Sequence, residues 1–258
     1  MITMRAIFAA LLLLLSFRVP NIYRHWTDGF SPSKIVLDYP ALSSWSIPIE
    51  PIEREKIETI LNQPFFYLSK GRQFFVFESK DGLYVLKIFR HDAYKFSKWK
   101  KQKTLEERLS RIFKSALLSY TKLFKETGLV WISLNPISSD RVLQLQDKIG
   151  RWHAIAARSC RFVLQKKALP FEIALRNAHE HDRARFDRMV QSFQQLLSSL
   201  NEKDIVNRDP KLRGNFGFVG ETAIQLDIGS VEEIQGAPLH SMAYFQQQFD
   251  SWLNRECQ

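Results

Sequence analysis

The strongest local constraint in this chain lies at residues 74–89. Two runs rich in aromatic and β-branched residues, Phe74–Ser79 and Leu83–Phe89, flank Lys80-Asp81-Gly82. An Asp-Gly pair tolerates the positive φ of a tight turn, so the two runs read as an antiparallel hairpin. A third β-rich run begins at Phe65, just after Pro64 closes a short amphipathic helix expected over Ile52–Asn62. Past the hairpin the period changes from two to about 3.6. Leu105, Leu109, Ile112, Phe113, Leu117, Tyr120 and Phe124 step by three or four, which predicts a long helix over Tyr94–Lys125.

The rest of the chain repeats this alternation of short strands and helices. Val142–Gln146 alternates, Gly150 turns, and Arg161–Lys166 reads as another strand. Arg183–Leu200 is a second strong helix, with Phe186, Met189, Val190, Phe193, Leu197 and Leu200 on one face. Two short β runs, Phe216–Val219 and Ala223–Leu226, surround Gly220, and a last helix is expected near His240–Asn254. No repeating βαβ pattern is present, which excludes a doubly wound parallel sheet. The expected class is α+β: a small antiparallel sheet with one long helix, then a mostly helical part.

Outside this core the expectations concern the termini and the charge. Residues 1–17 place Arg5 ahead of an apolar run from Ala6 to Phe17, the layout of a signal peptide or an N-terminal membrane anchor. No A-x-A cleavage pattern follows. Arg18, Arg24 and Lys34 outnumber Arg5, which would hold the main body on the cytoplasmic side of a retained anchor. Residues 18–50 carry Pro20, Pro32, Pro40 and Pro48 without a sustained period, and read as a loosely packed linker. Two cysteines in 258 residues, Cys160 and Cys257, exclude a disulfide scaffold, and no Cys/His spacing suits zinc. The net charge of +10 attracts phosphates, anionic lipid or acidic proteins. A basic run from Lys95 to Lys103, continued by Arg108 and Arg111, suits an anionic membrane surface; no nucleic-acid module accompanies it. His179 and His181 are two apart and so do not share a helix face. No nucleophile elbow, zinc-protease motif, Walker A loop or dinucleotide fingerprint is present.

Two segments carry residue types suited to phosphate chemistry. Leu68–Val76 keeps a leucine, Gly71 and Val76 in the spacing of a glycine-rich phosphate loop, and Lys87 follows Val76 by eleven residues on the next strand. A strand-borne amine is rigid enough to hold two phosphate oxygens, and a helix carboxylate, Glu106 or Glu107, could pin it. Farther on, Asn207-Arg208-Asp209 is followed by Asn215 and, twelve residues later, by Asp227-Ile228-Gly229. A carboxylate at Asp209 can accept or orient a hydroxyl proton. An amide oxygen at Asn215 and a carboxylate at Asp227 form a hard-oxygen pair suited to Mg²⁺. Asp-Pro and Gly-Asn are also turn formers, so an Asx-rich turn pair accounts for the same residues.

Taken together, these residues resemble the protein-kinase-like superfamily over about residues 63–232. The resemblance implies a bilobed domain over 51–258, with an N-lobe at about 51–165 and a reduced, mostly helical C-lobe at about 166–258. It implies ATP and Mg²⁺ as cofactors, with Gly71, Lys87 and Glu106 or Glu107 on the nucleotide side. Asp209 would be the catalytic carboxylate, with Asn215 and Asp227 on the metal. Phe162–Gln165 resembles the family's fifth strand, and Gln165–Ala168 the hinge that meets adenine. The Asn207–Gly229 block also resembles a family of chlamydial proteins for which no activity is established. One glycine of three stands in the phosphate loop, and the Asp209–Asn215 spacing is one residue longer than the family motif. With 29 residues after Gly229, a sugar, lipid headgroup or other small hydroxyl suits the expected lobe better than a peptide. A second reading stays open: a catalytically inactive, membrane-associated pseudokinase or adaptor that binds a protein partner or anionic lipid.

Overall fold

The computed structural model of the protein describes residues 16, 18–37, 41–92, 105–137, 140–209, 211–234 and 240–256. The apolar run read as a signal or anchor and the basic run from Lys95 to Lys103 lie outside them, Ser16 apart. Among the described residues no helix is long and apolar enough to cross a membrane.

The hairpin read from the sequence forms the centre of a seven-stranded sheet. β1 (Phe65–Lys70), β2 (Phe74–Ser79) and β3 (Tyr84–Phe89) pair antiparallel in succession, with Gly82 at φ +70 in the turn. Around them lie β4 (Leu129–Ser133), β5 (Val142–Gln146), β6 (Trp152–Ala156) and β7 (Phe162–Lys166), giving the order β4-β7-β3-β2-β1-β5-β6. This corrects the expectation of a small antiparallel sheet, because β5 pairs with β1 in parallel. β4 and β6 had no strand expectation. β4 is apolar and largely buried on both faces, so it shows no alternation, and β6 is built partly from alanine, a poor strand former.

Each face of the sheet is covered. α3 (Leu105–Lys122) buries Leu109, Ile112, Phe113 and Ala116 against Phe74, Phe89, Leu129, Ile132 and Val163. Its described part runs from Leu105; the expected start at Tyr94 lies outside the described residues. The opposite face carries Ile57, Ile60 and Leu61 of α2 (Pro51–Leu61), together with Phe30 and Ile35. Parts of the 18–50 segment are therefore packed rather than loose. Residues 18–26 form an exposed helix (α1), whereas Phe30 is 3% exposed and Ile35 0%, and Trp45 packs edge-on against Phe113 at 4.8 Å. Pro32 opens a 3-10 turn (Pro32–Lys34) between the buried Phe30 and Ile35.

Below the sheet, α4 (Phe124–Thr127), α5 (Phe171–His181), α6 (Arg183–Glu202) and α7 (His240–Glu256) enclose a separate aromatic core. Phe171 lies within 4.7–6.1 Å of the rings of Phe193, Phe218, Phe249 and Trp252, mostly edge-to-face. Asp182 caps α6 by accepting from the backbone of Arg185. Helices make up most of the described residues of this part. It also holds β8 (Leu169–Pro170), β10 (Phe216–Val219) and β11 (Thr222–Gln225) as one small sheet, and β9 (Ile205–Asn207) with β12 (Val231–Glu233) as another. Gly217 allows the first of these, since a Cβ there would lie 2.6 Å from the carbonyl oxygen of Leu169. Cys160 is a core residue whose burial pushes its thiol up to about 11.

Candidate active site

The site lies where the underside of the seven-stranded sheet meets the loops that follow α6. Its roof is the β1–β2 turn, residues 71–73 only. Gly71 N–H donates to Phe74 O at 2.9 Å, closing the turn. The Arg90 guanidinium holds it from behind, donating to Gly71 O at 3.0 Å and forking onto Asp92, with its plane over the Phe75 ring. A Cβ on Gly71 would meet only Phe74 O, at 3.8 Å, so the turn itself does not demand glycine there.

From this turn Gln73 reaches across to the opposite wall. It is 7% exposed, and its Nε2 donates to Gly229 O at 3.3 Å. A Cβ on Gly229 would sit 1.6 Å from Gln73 Oε1, so glycine at 229 is what admits this side chain.

Lys87 projects from β3, paired with Val76 of β2. Its ammonium donates to Leu226 O at 2.7 Å. Burial pushes Lys87 down to about 8, partly offset by the Asp227 carboxylate. Among the described side chains, the carboxylate that acts on Lys87 is thus the one at 227. Glu107 lies exposed on α3, and the Glu106 side chain is outside the described residues.

The Asp227-Ile228-Gly229 turn is pinned from α3. Ser115 Oγ donates to Ile228 O at 2.6 Å and accepts from Val231 N–H at 2.7 Å, while Ile228 is buried against α3. Asp227 Oδ1 accepts from Gly229 N–H at 3.0 Å, and its backbone carbonyl accepts from Gln225 Nε2. Neither Ser115 nor Gln73 was singled out from sequence. For Ser115 a signal existed, since it is a hydroxyl in the buried stretch between Phe113 and Ala116.

Asp209 and Asn215 come from one loop. Asn207, at the end of β9, accepts from Asp209 N–H at 2.9 Å, an Asx turn. Asn215 Nδ2 donates to Asp209 O at 2.6 Å, and Leu226 N–H donates to Asn215 O at 2.7 Å. The loop and the strand leading to Asp227 are therefore tied together. Gly214, at φ +84, makes the reversal before Asn215. The Nδ2 bond leaves the Asn215 amide oxygen as an acceptor, and Asp227 keeps a second carboxylate oxygen beyond the one bound to Gly229. This donor set fits Mg²⁺, which takes hard oxygens and retains several waters.

These residues converge on one cavity of about 610 Å³, lined by Gly71, Lys87, Asp209, Asn215 and Asp227 together. Val76 and Val85 form its upper wall and Leu226 its lower one. Its inner edge is the Gln165–Pro170 segment. Gln165 is fully buried there and donates to Thr127 O at 2.6 Å. The cavity combines an apolar slot with an amine, two carboxylates and an amide at one end, a combination suited to a flat heteroaromatic base with attached phosphates. Among the sequence-derived candidates whose side chains are described, Glu107 is the one that does not line it.

No protein-family model matches the chain, and no curated protein does. Among solved structures it is similar to WbdD. A 2.2 Å crystal structure of that protein matches at 19% identity and a TM-score of 0.39, over 76% of this chain and 38% of the other. A second structure, described as a bifunctional kinase-methyltransferase, matches at 15% identity and a TM-score of 0.37, over 71% and 34%. A co-crystal structure of WbdD with a kinase inhibitor matches at 17% identity and a TM-score of 0.36, over 73% and 37%. The chain thus spans less than two fifths of the length of these structures.

Proposed function

We propose that the chain is a protein-kinase-like domain, bilobed across the cavity, that transfers a phosphoryl group from Mg·ATP to a small-molecule, sugar or lipid hydroxyl. The supporting observation is the convergence of Lys87, Asp209, Asn215 and Asp227, from three separate stretches of chain, on one cavity with an apolar inner slot. The N-lobe is about 51–165 and the C-lobe about 166–258. Phe30, Ile35, Leu37 and Trp45 pack onto the first of these.

The roles follow from chemistry. Lys87 supplies a positive charge to the phosphates, in a site where burial strengthens the attraction. Asn215 and Asp227 would hold the metal, which neutralises charge on the phosphates. Asp209 orients the acceptor hydroxyl and takes its proton as the oxygen bonds to the γ-phosphorus. The bond from that phosphorus to the β–γ bridging oxygen breaks, and ADP leaves. Attachment to an anionic membrane through residues 1–17 and the Lys95–Arg111 stretch is part of the same proposal.

One observation favours the inactive-adaptor reading. The groups that would meet phosphate already have internal partners, since Lys87 is bound by Leu226 O and Gln73 closes over Gly229. The nucleotide site is tested by one experiment. Thermal unfolding of the full chain is measured with and without Mg·ATP, beside Lys87→Ala and Asp227→Ala. Ligand at about a hundred times its Kd stabilises by about 2.7 kcal/mol, a rise of roughly 5–10 °C for a domain of this size. A rise that both variants lose supports the nucleotide site. Its absence at millimolar nucleotide sinks it.

A further inference from the structure

A second cavity, of about 550 Å³, adjoins the first on the far side of Asp209. Asp209, Arg72 and Ser230 line both. The second cavity differs in chemistry. Its wall carries five basic side chains, Arg72, Arg111, Lys114, Arg208 and Lys211, all exposed to solvent, against the three carboxylates of Asp209, Glu232 and Glu233, the last of them paired with Lys122. Arg208 is paired with Glu232 at 2.5 Å, and Lys211 lies 3.5 Å from Asp209. Arg72, Arg111 and Lys114 take part in no ion pair among the described residues.

Arg111 and Lys114 are three apart on α3 and so share a face, one step round from the buried Ile112 and Phe113. The adjacent Ser115 holds the Asp227–Gly229 turn, so the same helix that fixes the metal-side carboxylate also carries these two cations. Arg72 approaches from the turn above. Unpaired cations on two elements, the β1–β2 turn and α3, around one concave wall cost self-repulsion, which a bound anion relieves. Arginine is also the side chain best shaped to fork onto phosphate or carboxylate oxygens.

We propose that this cavity is the acceptor site and that the acceptor is an anionic hydroxyl compound, a sugar bearing phosphate or carboxylate, either free or as the headgroup of a lipid. This rests on the phosphotransfer reading and narrows it. Asp209 is the wall shared by the two cavities, so an acceptor held by its anionic group on Arg111 and Lys114 presents a hydroxyl to Asp209 from the side opposite the nucleotide. That hydroxyl oxygen bonds to the γ-phosphorus, its proton passes to Asp209, and the bond to the bridging oxygen of ADP breaks. A cavity of this volume takes a small molecule or a headgroup.

The test uses the full chain with saturating Mg·ADP, which fills the nucleotide cavity and leaves the basic one open. Glucose 6-phosphate is compared with glucose, and phosphatidylinositol vesicles with phosphatidylcholine vesicles, on the parent and on an Arg111→Ala/Lys114→Ala variant. Both substitutions are on exposed side chains, and the shift with Mg·ADP should be unchanged by them. Loss of two charge-assisted contacts weakens anion binding roughly tenfold or more. Stabilisation by glucose 6-phosphate but not glucose, lost in the variant, supports the proposal with a free acceptor. Capture by phosphatidylinositol vesicles alone, lost in the variant and also in Lys114→Ala, whose side chain lies outside the Lys95–Arg111 membrane stretch, supports it with a lipid headgroup. Equal responses to glucose and its phosphate, responses that the variant keeps, or no response to either anionic probe would each overturn it. No shift with Mg·ADP would instead sink the nucleotide site, a separate readout from the dependence on Arg111 and Lys114.

Discussion

Lys87 shows how a single side chain takes its properties from a distant turn. Burial depresses its proton affinity to about 8, and Asp227 limits the depression. Below that pH the amine is charged, and above it the charge that would attract phosphates is lost. Mg·ATP affinity should therefore fall as pH rises through about 8, a profile that titration calorimetry can read and that Lys87→Met should flatten. The sign for stability is opposite. Between about 8 and the ordinary 10.5 the unfolded chain binds more protons at this site, so stability rises with pH across that window. Ser115 is the second residue to test. Ser115→Ala leaves Ile228 O and Val231 N–H without their partner in a buried setting, costing about 1–3 kcal/mol for each group left unsatisfied. Denaturant unfolding measures this, and an unchanged midpoint would show that the turn is held by other contacts. Neither role could be read locally, because Ser115 and Ile228 are 113 positions apart and Gln73 and Gly229 are 156 apart.

At the scale of elements, the strands of the central hairpin and the helices α3, α6 and α7 were legible because their periods and turn residues act over a few positions. What failed were elements whose identity depends on neighbours. β4 is nearly all buried, and a strand buried on both faces carries no alternation to detect. β5 shows its alternation, but its parallel pairing with β1 rests on two residue pairs inside the sheet, with β6 beyond it at the edge. The 18–50 segment misled for a related reason, since prolines mark turns whether or not the intervening side chains are buried. Phe30 meets Phe75, Phe77 and His153 edge-on at 5.1–5.3 Å. Phe30→Ala should thus cost about 3–5 kcal/mol, as for a core aromatic, rather than the near-zero change of a linker substitution. Thermal or denaturant unfolding decides between them.

Over the whole molecule, function depends on a cavity that no one element contains. The two functional readings part here. In a phosphotransferase, Asp209→Asn should keep the thermal shift with Mg·ATP and lose ADP formation with acceptor present. In an adaptor the parent itself forms no ADP, and the substitution changes nothing. Most residues of the candidate site were visible as residue types at characteristic spacings: Lys87 on a strand, Asp209 and Asn215 in one loop, and Asp227 before a glycine. Those spacings also fix which side chains ride on which local element, because hairpin turns and helical periods are set by near neighbours in the chain. The tertiary structure alone decided that the carboxylate beside Lys87 is Asp227, that Ser115 and Gln73 hold the Asp227–Gly229 turn, and that a basic cavity adjoins Asp209. Such contacts arise from packing of surfaces more than a hundred residues apart, and their energies are summed over the whole fold rather than written in any one stretch of it.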